Sequence, residues 1–279
     1  MKTETYFKGK SVLITGGSSG IGFAFAKALA KIGAIPILLA RDEAKLAKAK
    51  TEILSIYPNA EVHTLIADVT KSEELSQILT EFCAKHGTPD ILINSAGVAR
   101  PGYVEEIPLE VYKWTMDIDY HGTVNMVKLL LPGMLERGSG HIINISSIAG
   151  VIGVFGYTAY SGAKFAVKGF SDCLRTELKP KGITVSVLYP PDTDTPQLAW
   201  EEQFKPAETK AISGTAKPIS PDLLAEKALK DAAKGKASLL PNFESKLMYF
   251  VGTRLGNWVY GIMDLMVRNA QKKNKQKFS

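Results

Sequence analysis

Tyr160-Ser161-Gly162-Ala163-Lys164 sets a phenol and an ammonium four positions apart, which on a helix is one face. That pairing has a chemical use. A phenol with a pKa of about 10 exchanges protons poorly at neutral pH, and a neighbouring cation favours the phenolate and lowers the pKa toward the working range. Ser146 and Ser147 close an apolar run, His141 to Ile145, and Ser147 stands thirteen residues before Tyr160. A hydroxyl there can hydrogen-bond a carbonyl oxygen while the phenol supplies its proton. On its own the Tyr–Lys spacing is ordinary helix surface; beside serines at a strand end it becomes a candidate proton-transfer site.

A carbonyl that gains a proton on oxygen needs a hydride on carbon, and the chain carries a phosphate site suited to a nucleotide carrier. Thr15-Gly16-Gly17-Ser18-Ser19-Gly20-Ile21-Gly22 joins the apolar run Val12 to Ile14 to the helical pattern Phe23 to Ile32. Glycines let the backbone approach a pyrophosphate, and the free N–H groups at the helix start add donors and partial positive charge. The end of the next run separates the nicotinamide cofactors, since an acid there holds a ribose 2′-OH and a cation accepts a 2′-phosphate. Leu39-Ala40-Arg41-Asp42 puts Ala40 where the acid belongs and Arg41 after it, which favours NADPH. Asp42 keeps open the alternative of NADH with a solvated Arg41. Asp68-Val69 and Asn94-Ser95-Ala96-Gly97 place more polar groups at the carboxyl ends of later runs, where ligands lie in an open α/β sheet.

These residues must be held by a parallel sheet. Val12 to Ile14, Ile35 to Ala40, Val62 to Ala67, Ile91 to Ile93, His141 to Ile145 and Thr184 to Leu188 alternate with longer helical patterns, the rhythm of βαβ units. The runs are continuous because crossover helices cover both faces. Pro36 lacks an N–H, so the second strand is expected to begin at or after it. From Thr193 to Pro221 four prolines lie among charged residues, a long excursion of the kind that serves a site. His63, His86, His121 and His141 are scattered with no metal-ligand spacing, so no metal is expected.

Taken together, the motifs resemble the short-chain dehydrogenase/reductases from Ser11 to about Thr195. The resemblance implies a doubly wound Rossmann fold, an α/β fold of about seven parallel strands with helices on both faces. It implies that Gly16, Gly20 and Gly22, with Ser18, Ser19 and Ile21 between them, meet the cofactor pyrophosphate, with Arg41 at the 2′-phosphate. Asp68 and Val69 would lie at the adenine and Asn94 in the core and the cofactor cleft, where it helps to bind the cofactor. Tyr160 becomes the proton donor and Ser147 polarises the carbonyl; Lys164 holds the nicotinamide ribose and depresses the Tyr160 pKa, and Thr193 and Thr195 face the carboxamide. The family usually has Asn-x-x-Gly where this chain has Asp119-Tyr120-His121-Gly122. If that Asn acts through its backbone carbonyl Asp119 replaces it; if through its side chain, proton relay changes. Pro190-Pro191-Asp192-Thr193-Asp194-Thr195-Pro196 and the later Lys205 to Thr209 resemble the branch that reduces the ketone of 3-ketodihydrosphingosine, a long-chain amino-ketone of sphingoid-base synthesis. Asp192 or Asp194 would then offset the substrate ammonium, or simply cap a turn. An oxidoreductase for a steroid, retinoid or acyl chain is the alternative enzyme, and a nicotinamide-sensing regulator the alternative of another class; a regulator has no need of Ser147, Tyr160 and Lys164 together.

Composition adds limits. The 279 residues are 45% hydrophobic and 22% charged, an ordinary globular balance, and two cysteines, Cys83 and Cys173, make no disulfide framework. Of the formal net charge of +6, Arg268, Lys272, Lys273, Lys275 and Lys277 carry +5, which argues against a nucleic-acid-binding body. Those cations are a solvated terminus or a patch beside an anionic membrane. Residues 1–10 show no charged-then-apolar leader, so a cytoplasmic chain is expected, peripheral on a membrane face if the patch is used. We read residues 1–245 as the Rossmann domain, with the substrate loop near 193–221, and 246–279 as an amphipathic helix and basic tail. Leu247, Val251, Leu255, Trp258, Ile262 and Met266 form its apolar stripe, with Gly252 and Gly256 opposite; it packs on the body, lies in a bilayer interface or roofs a lipid-tail pocket. A homo-oligomer is expected, as the family commonly pairs through its long helices.

Overall fold

Ser11–Thr15 (β1), Ile35–Ala40 (β2), His63–Ile66 (β3), Ile91–Asn94 (β4), Gly140–Ile145 (β5), Ile183–Leu188 (β6) and Ser238–Leu239 (β7) form a parallel sheet ordered β3-β2-β1-β4-β5-β6-β7. The computed structural model describes residues 2–213, 217–255 and 258–277, with the side chains of 213 and 273–277 outside the description. Strand order reverses between β1 and β4, and the cleft above that point is where an open α/β sheet binds its ligand.

Twelve α-helices are described: Thr3–Phe7 (α1), Gly20–Lys31 (α2), Glu43–Ile56 (α3), Ser72–His86 (α4), Leu109–Met116 (α5), Gly122–Arg137 (α6), Thr158–Leu178 (α7), Pro196–Glu201 (α8), Ala207–Ser213 (α9), Pro221–Ala232 (α10), Phe243–Arg254 (α11) and Trp258–Lys277 (α12). The continuous apolar runs are explained by two cores. Along β1, Val12 and Ile14 face one way, onto Phe25 and Leu29 of α2 and Leu224 of α10. Leu13 faces the other way, with Leu79 of α4, Leu130 of α6 and Leu174 of α7. Burying one such side chain is worth roughly 1.5–3 kcal/mol, so each apolar residue of β1 contributes to one layer or the other.

Pro36 lies inside β2, one residue after its start, opposite Val12. The Ile35 N–H donates to Lys10 on the β1 side, so the missing donor of Pro36 faces the other neighbour, where pairing with β3 begins only at Ile37. The proline thus removes no ladder bond. Buried His141 joins α1 to the sheet, with ring nitrogens 3.0 Å from Tyr6 Oη and 2.9 Å from Ser186 Oγ. Burial, with Lys10 adding to it, pushes its pKa down to about 3, so the ring is a neutral hydrogen-bond relay.

The carboxyl-terminal segment differs from its sequence pattern. The chain forms two helices, and the break after Arg254 resets the helical phase. Val259, Met263 and Ala270 turn inward, whereas Leu247, Leu255, Trp258, Ile262 and Met266 of the apolar stripe are exposed. Gly252, placed on the polar side by the pattern, packs on the body: a Cβ there would stand 2.6 Å from Ile152 Cγ1. Gly256 lies outside the described residues. α11 and α12 cover Ile152, Val187 and Tyr189, so they are packed on the body with an apolar outer face still open. The 193–221 excursion contains α8 and α9 and is pinned at its ends by a bridge between Thr193 and Ile219. Cys173 is exposed on α7 and Cys83 half-buried on α4.

Candidate active site

Thr15 ends β1 buried, and its Oγ1 accepts from Ser95 N at 3.0 Å and Ala96 N at 2.9 Å, tying the glycine turn to the end of β4. The turn is as tight as a backbone can be. Gly16 has φ +65°, and a Cβ on Gly22 would lie 2.4 Å from Gly16 O. Gly16, Ser18 and Ser19 border a cleft of about 230 Å³ whose far wall is Arg41, Lys45, Asp68, Val69 and Gly97. A side chain at Gly16 or Gly22 would run into the backbone of Ala96 or of the turn itself, so glycines allow the close turn that brings the start of α2 to the cleft, and the residues fit a dinucleotide.

At the β2 end the acid Asp42 is already engaged. Its Oδ1 accepts from Lys45 N at 3.0 Å as the N-cap of α3, which leaves Arg41 and Lys45 as the cations of the cleft. Lys45 was not singled out by the sequence reading, although Asp-x-x-Lys at a helix start is its signal. Asp68 Oδ1 accepts from Thr70 N at 2.9 Å and Thr70 Oγ1 at 2.8 Å, and Oδ2 is 3.6 Å from Arg41. Desolvation raises that carboxyl, but the Thr70 bonds and the Arg41 charge outweigh it and hold the pKa below the ordinary value.

α7 carries Tyr160 and Lys164, the candidate proton-transfer residues. Its start packs on α5 through Ala159 and Val111, and buried Ser146 Oγ donates to Lys164 O at 2.9 Å, fixing α7 to the end of β5. Ser147 Oγ accepts from Ala149 N at 3.1 Å, and its hydroxyl is close enough to the Tyr160 phenol to favour the ionised form. Lys164 Nζ is 5.4 Å from the Tyr160 ring centre and donates to Ile145 O at 3.2 Å.

Asp119 changes the electrostatics. A π-helical turn, Asp117–His121, separates α5 from α6 and swings Asp119 into the interior. There Oδ1 accepts from Val98 N at 2.7 Å and Oδ2 is 3.2 Å from Lys164 Nζ, while its carbonyl accepts from Thr123 Oγ1 at 2.8 Å. Both its side chain and its carbonyl are therefore occupied. Burial raises the Asp119 pKa against the pull of Lys164. The spacing of Tyr160 and Lys164 predicts a lowered phenol pKa, and the structure shows the reverse. Burial chiefly, then the charges of Asp119 and Glu201, raise it, with the Ser147 hydroxyl opposing. The reason is that burial penalises the phenolate, and the Asp119 carboxylate opposes the Lys164 ammonium.

Asn94 is buried beneath the cleft, its Nδ2 donating to Asn144 Oδ1 at 2.8 Å; Asn144 in turn donates to Ser171 Oγ at 2.8 Å. Thr193 Oγ1 donates to Pro191 O at 2.9 Å and Thr195 Oγ1 caps α8 by accepting from Leu198 N at 3.2 Å. Thr195 nevertheless abuts the phosphate turn, 3.5 Å from where a Gly20 Cβ would stand. Sequence reading missed Glu201 altogether. It is buried on α8, and Tyr157 Oη donates to it at 2.8 Å. Lys205 pairs with Glu202, Tyr103 Oη donates to Glu208 at 2.8 Å and Thr209 Oγ1 to Phe155 O at 2.9 Å, which pins the 205–209 segment over the site.

The model of the short chain dehydrogenase family matches residues 10–205. A "3-dehydrosphinganine reductase" of Danio rerio is 42% identical over 230 residues, 81% of this chain and 69% of that protein. A "3-ketodihydrosphingosine reductase" of Dictyostelium discoideum is 34% identical over 286 residues, 95% of this chain and 85% of that one. Among solved structures, a short-chain dehydrogenase from Sphingobium yanoikuyae in complex with NADPH is 26% identical with a TM-score of 0.75, covering 88% of this chain and 94% of that one. The family match runs unbroken from the phosphate turn through the Tyr160 helix to Lys205, and by it this chain belongs to the short-chain dehydrogenases.

Proposed function

We propose that the chain reduces the ketone of 3-ketodihydrosphingosine to dihydrosphingosine with NADPH, in sphingoid-base synthesis. The observation that carries this reading is likeness to reductases of that name across most of the chain, with Ser147, Tyr160 and Lys164 assembled at the end of the cleft. NADPH, when bound, supplies the hydride. Gly16, Ser18, Ser19, Gly20, Ile21 and Gly22 hold its pyrophosphate, Arg41 and Lys45 its 2′-phosphate, Asp68 and Val69 the adenine side, and Lys164 the nicotinamide ribose; Thr193 and Thr195 close the nicotinamide end. Ser147 donates to the ketone oxygen, and Tyr160 gives that oxygen its proton as negative charge develops. A phenol with a raised pKa suits this direction. It stays protonated until an alkoxide forms, whose basicity rivals that of hydroxide, the conjugate base of water at about 15.7. NADPH consumption with a ketone panel tests the substrate: faster turnover of a steroid, retinoid or acyl ketone would favour the alternative enzyme.

Cofactor choice is tested separately. Ala40→Asp with Arg41→Ala adds an acid for the 2′-OH and removes a phosphate cation. It is expected to move the NADPH/NADH ratio of kcat/KM toward NADH by roughly 10- to 100-fold, the worth of a charged hydrogen bond or two. A wild type that already prefers NADH would contradict the role of Arg41.

The same reading includes peripheral contact with an anionic membrane on the cytoplasmic side. None of the described helices is long and apolar enough to cross a membrane. Support comes from the open face of α11 and α12, where Phe250, Ile262 and Leu265 are exposed and Trp258 is 80% exposed, near the cations Arg268 and Lys272. Phe250→Glu with Trp258→Glu should abolish co-sedimentation with anionic vesicles at low salt and leave the packed inner face intact. Wild type remaining in the supernatant would sink the membrane reading. Homo-oligomer formation through α6 and α7 is part of the proposal, with exposed Phe165 on α7 a candidate contact, and light scattering decides it.

A further inference from the structure

Glu201 is a carboxylate in the wrong place for a merely structural residue. It is 6% exposed, its two oxygens accept from Tyr157 Oη at 2.8 Å and Gln197 Nε2 at 3.0 Å, and among the described residues no cation stands within 4.0 Å of it. Lys205, the cation in electrostatic reach, is itself paired with Glu202. Burying an unpaired charge is costly, and two neutral donors only partly offset the loss of water. The carboxylate also lies close to the chemistry: the Tyr157 ring that bonds it is 5.8 Å from that of Tyr160, and its charge is felt at the phenol.

A second feature opens from the same helix. A groove of about 360 Å³ with almost wholly apolar walls lies between α5 and the end of α8, built by Val111, Trp114, Trp200 and Phe204 and rimmed by Arg100 and Glu110. Trp114 and Trp200 meet edge to face at 6.4 Å, Phe204 stands 4.8 Å from Trp200, and the Arg100 guanidinium covers Phe204 at 4.8 Å. Val111 in its wall packs on Ala159, the neighbour of Tyr160, so the groove adjoins the reaction site. One helix therefore presents a buried anion and an aromatic wall at adjacent residues, Glu201 and Trp200.

We propose that Glu201 is a specificity residue that accepts the substrate's ammonium, and that the Trp114–Trp200–Phe204 groove takes its alkyl tail. The inference rests on the reading of the substrate as a long-chain amino-ketone, and names how this chain tells it from an uncharged ketone. The ammonium, one carbon from the ketone, becomes the missing counter-ion of Glu201 and seats the carbonyl at Ser147 and Tyr160, while the chain leaves along the groove.

The test compares kcat/KM for 3-ketodihydrosphingosine and for the same ketone lacking the amino group. Glu201→Gln keeps the size and an acceptor for Tyr157 but removes the charge. The amine-over-neutral preference is expected to fall roughly 10- to 100-fold, mainly through KM. Trp200→Ala should lower the preference for long over eight-carbon amino-ketones. A preference within twofold of wild type in Glu201→Gln overturns the inference and leaves the substrate reading standing, whereas a wild type that does not turn over the amino-ketone overturns both. Wild type alone provides a check independent of folding: dodecylamine should compete with substrate at a concentration at least about tenfold below dodecanol, and equal potency would overturn the role of the charge.

Discussion

Tyr160→Phe is expected to lower kcat for ketone reduction by roughly 10²- to 10⁴-fold, the usual worth of general acid catalysis, while NADPH affinity changes little. Tyr160 feels Ser147 and does not line the cleft of Gly16, Arg41 and Lys45, so loss of its phenol oxygen removes the proton and leaves that cleft in place. Lys164→Ala differs, because the same ammonium is assigned to the ribose and pairs with Asp119. Stopped-flow hydride transfer together with fluorescence titration of NADPH separates the two roles. Tyr160→Phe activity above a tenth of wild type would remove Tyr160 from the proton step.

The second large effect is expected at Asp119. Asp119→Ala strands a buried Lys164 and the Val98 N–H, and removal of one member of a buried ion pair costs about 3–5 kcal/mol. Asp119→Asn restores an acceptor for Val98 and should cost less. Its effect on chemistry has a definite sign: the Asp119 charge raises the Tyr160 pKa, so neutralising it lowers that pKa. Oxidation of dihydrosphingosine with NADP⁺ needs the phenolate, and its rate rises as pH passes the phenol pKa. The limb should therefore move to lower pH in Asp119→Asn. Denaturant midpoints and pH–rate profiles measure the two effects, and an unshifted or upward-shifted limb would contradict the electrostatic role given to Asp119.

The sheet was legible because strands buried on both faces leave unbroken apolar runs, and Leu13 packing opposite to Val12 and Ile14 shows why. β7 has two residues and leaves no such trace. The phosphate turn, Ser147, Tyr160 and Lys164 were legible because each sits within a short motif at a strand end or on one helix face. What failed to show was whatever depends on contacts across the chain. Asp119, on a π-helical turn, meets Lys164 across the chain, and it is the burial of Tyr160 chiefly, with the Asp119 charge beside it, that turns the phenol pKa upward. Glu201 reads as one charge among several until α8 turns it inward onto Tyr157. The terminal segment was legible only in part, because periodicity assumes one continuous helix and the chain breaks after Arg254: the stripe led by Leu255 and Trp258 is exposed, and Val259 and Met263 do the packing.

The central claim is that this chain moves hydride from NADPH to the ketone carbon of a long-chain amino-ketone. NADPH carrying deuterium at the transferred position, incubated with the enzyme and 3-ketodihydrosphingosine, measures it most directly by mass spectrometry of the product. The account predicts dihydrosphingosine with a single deuterium on the carbinol carbon, formed faster than with equally labelled NADH. Unlabelled product, or no product while another ketone is reduced, would contradict it.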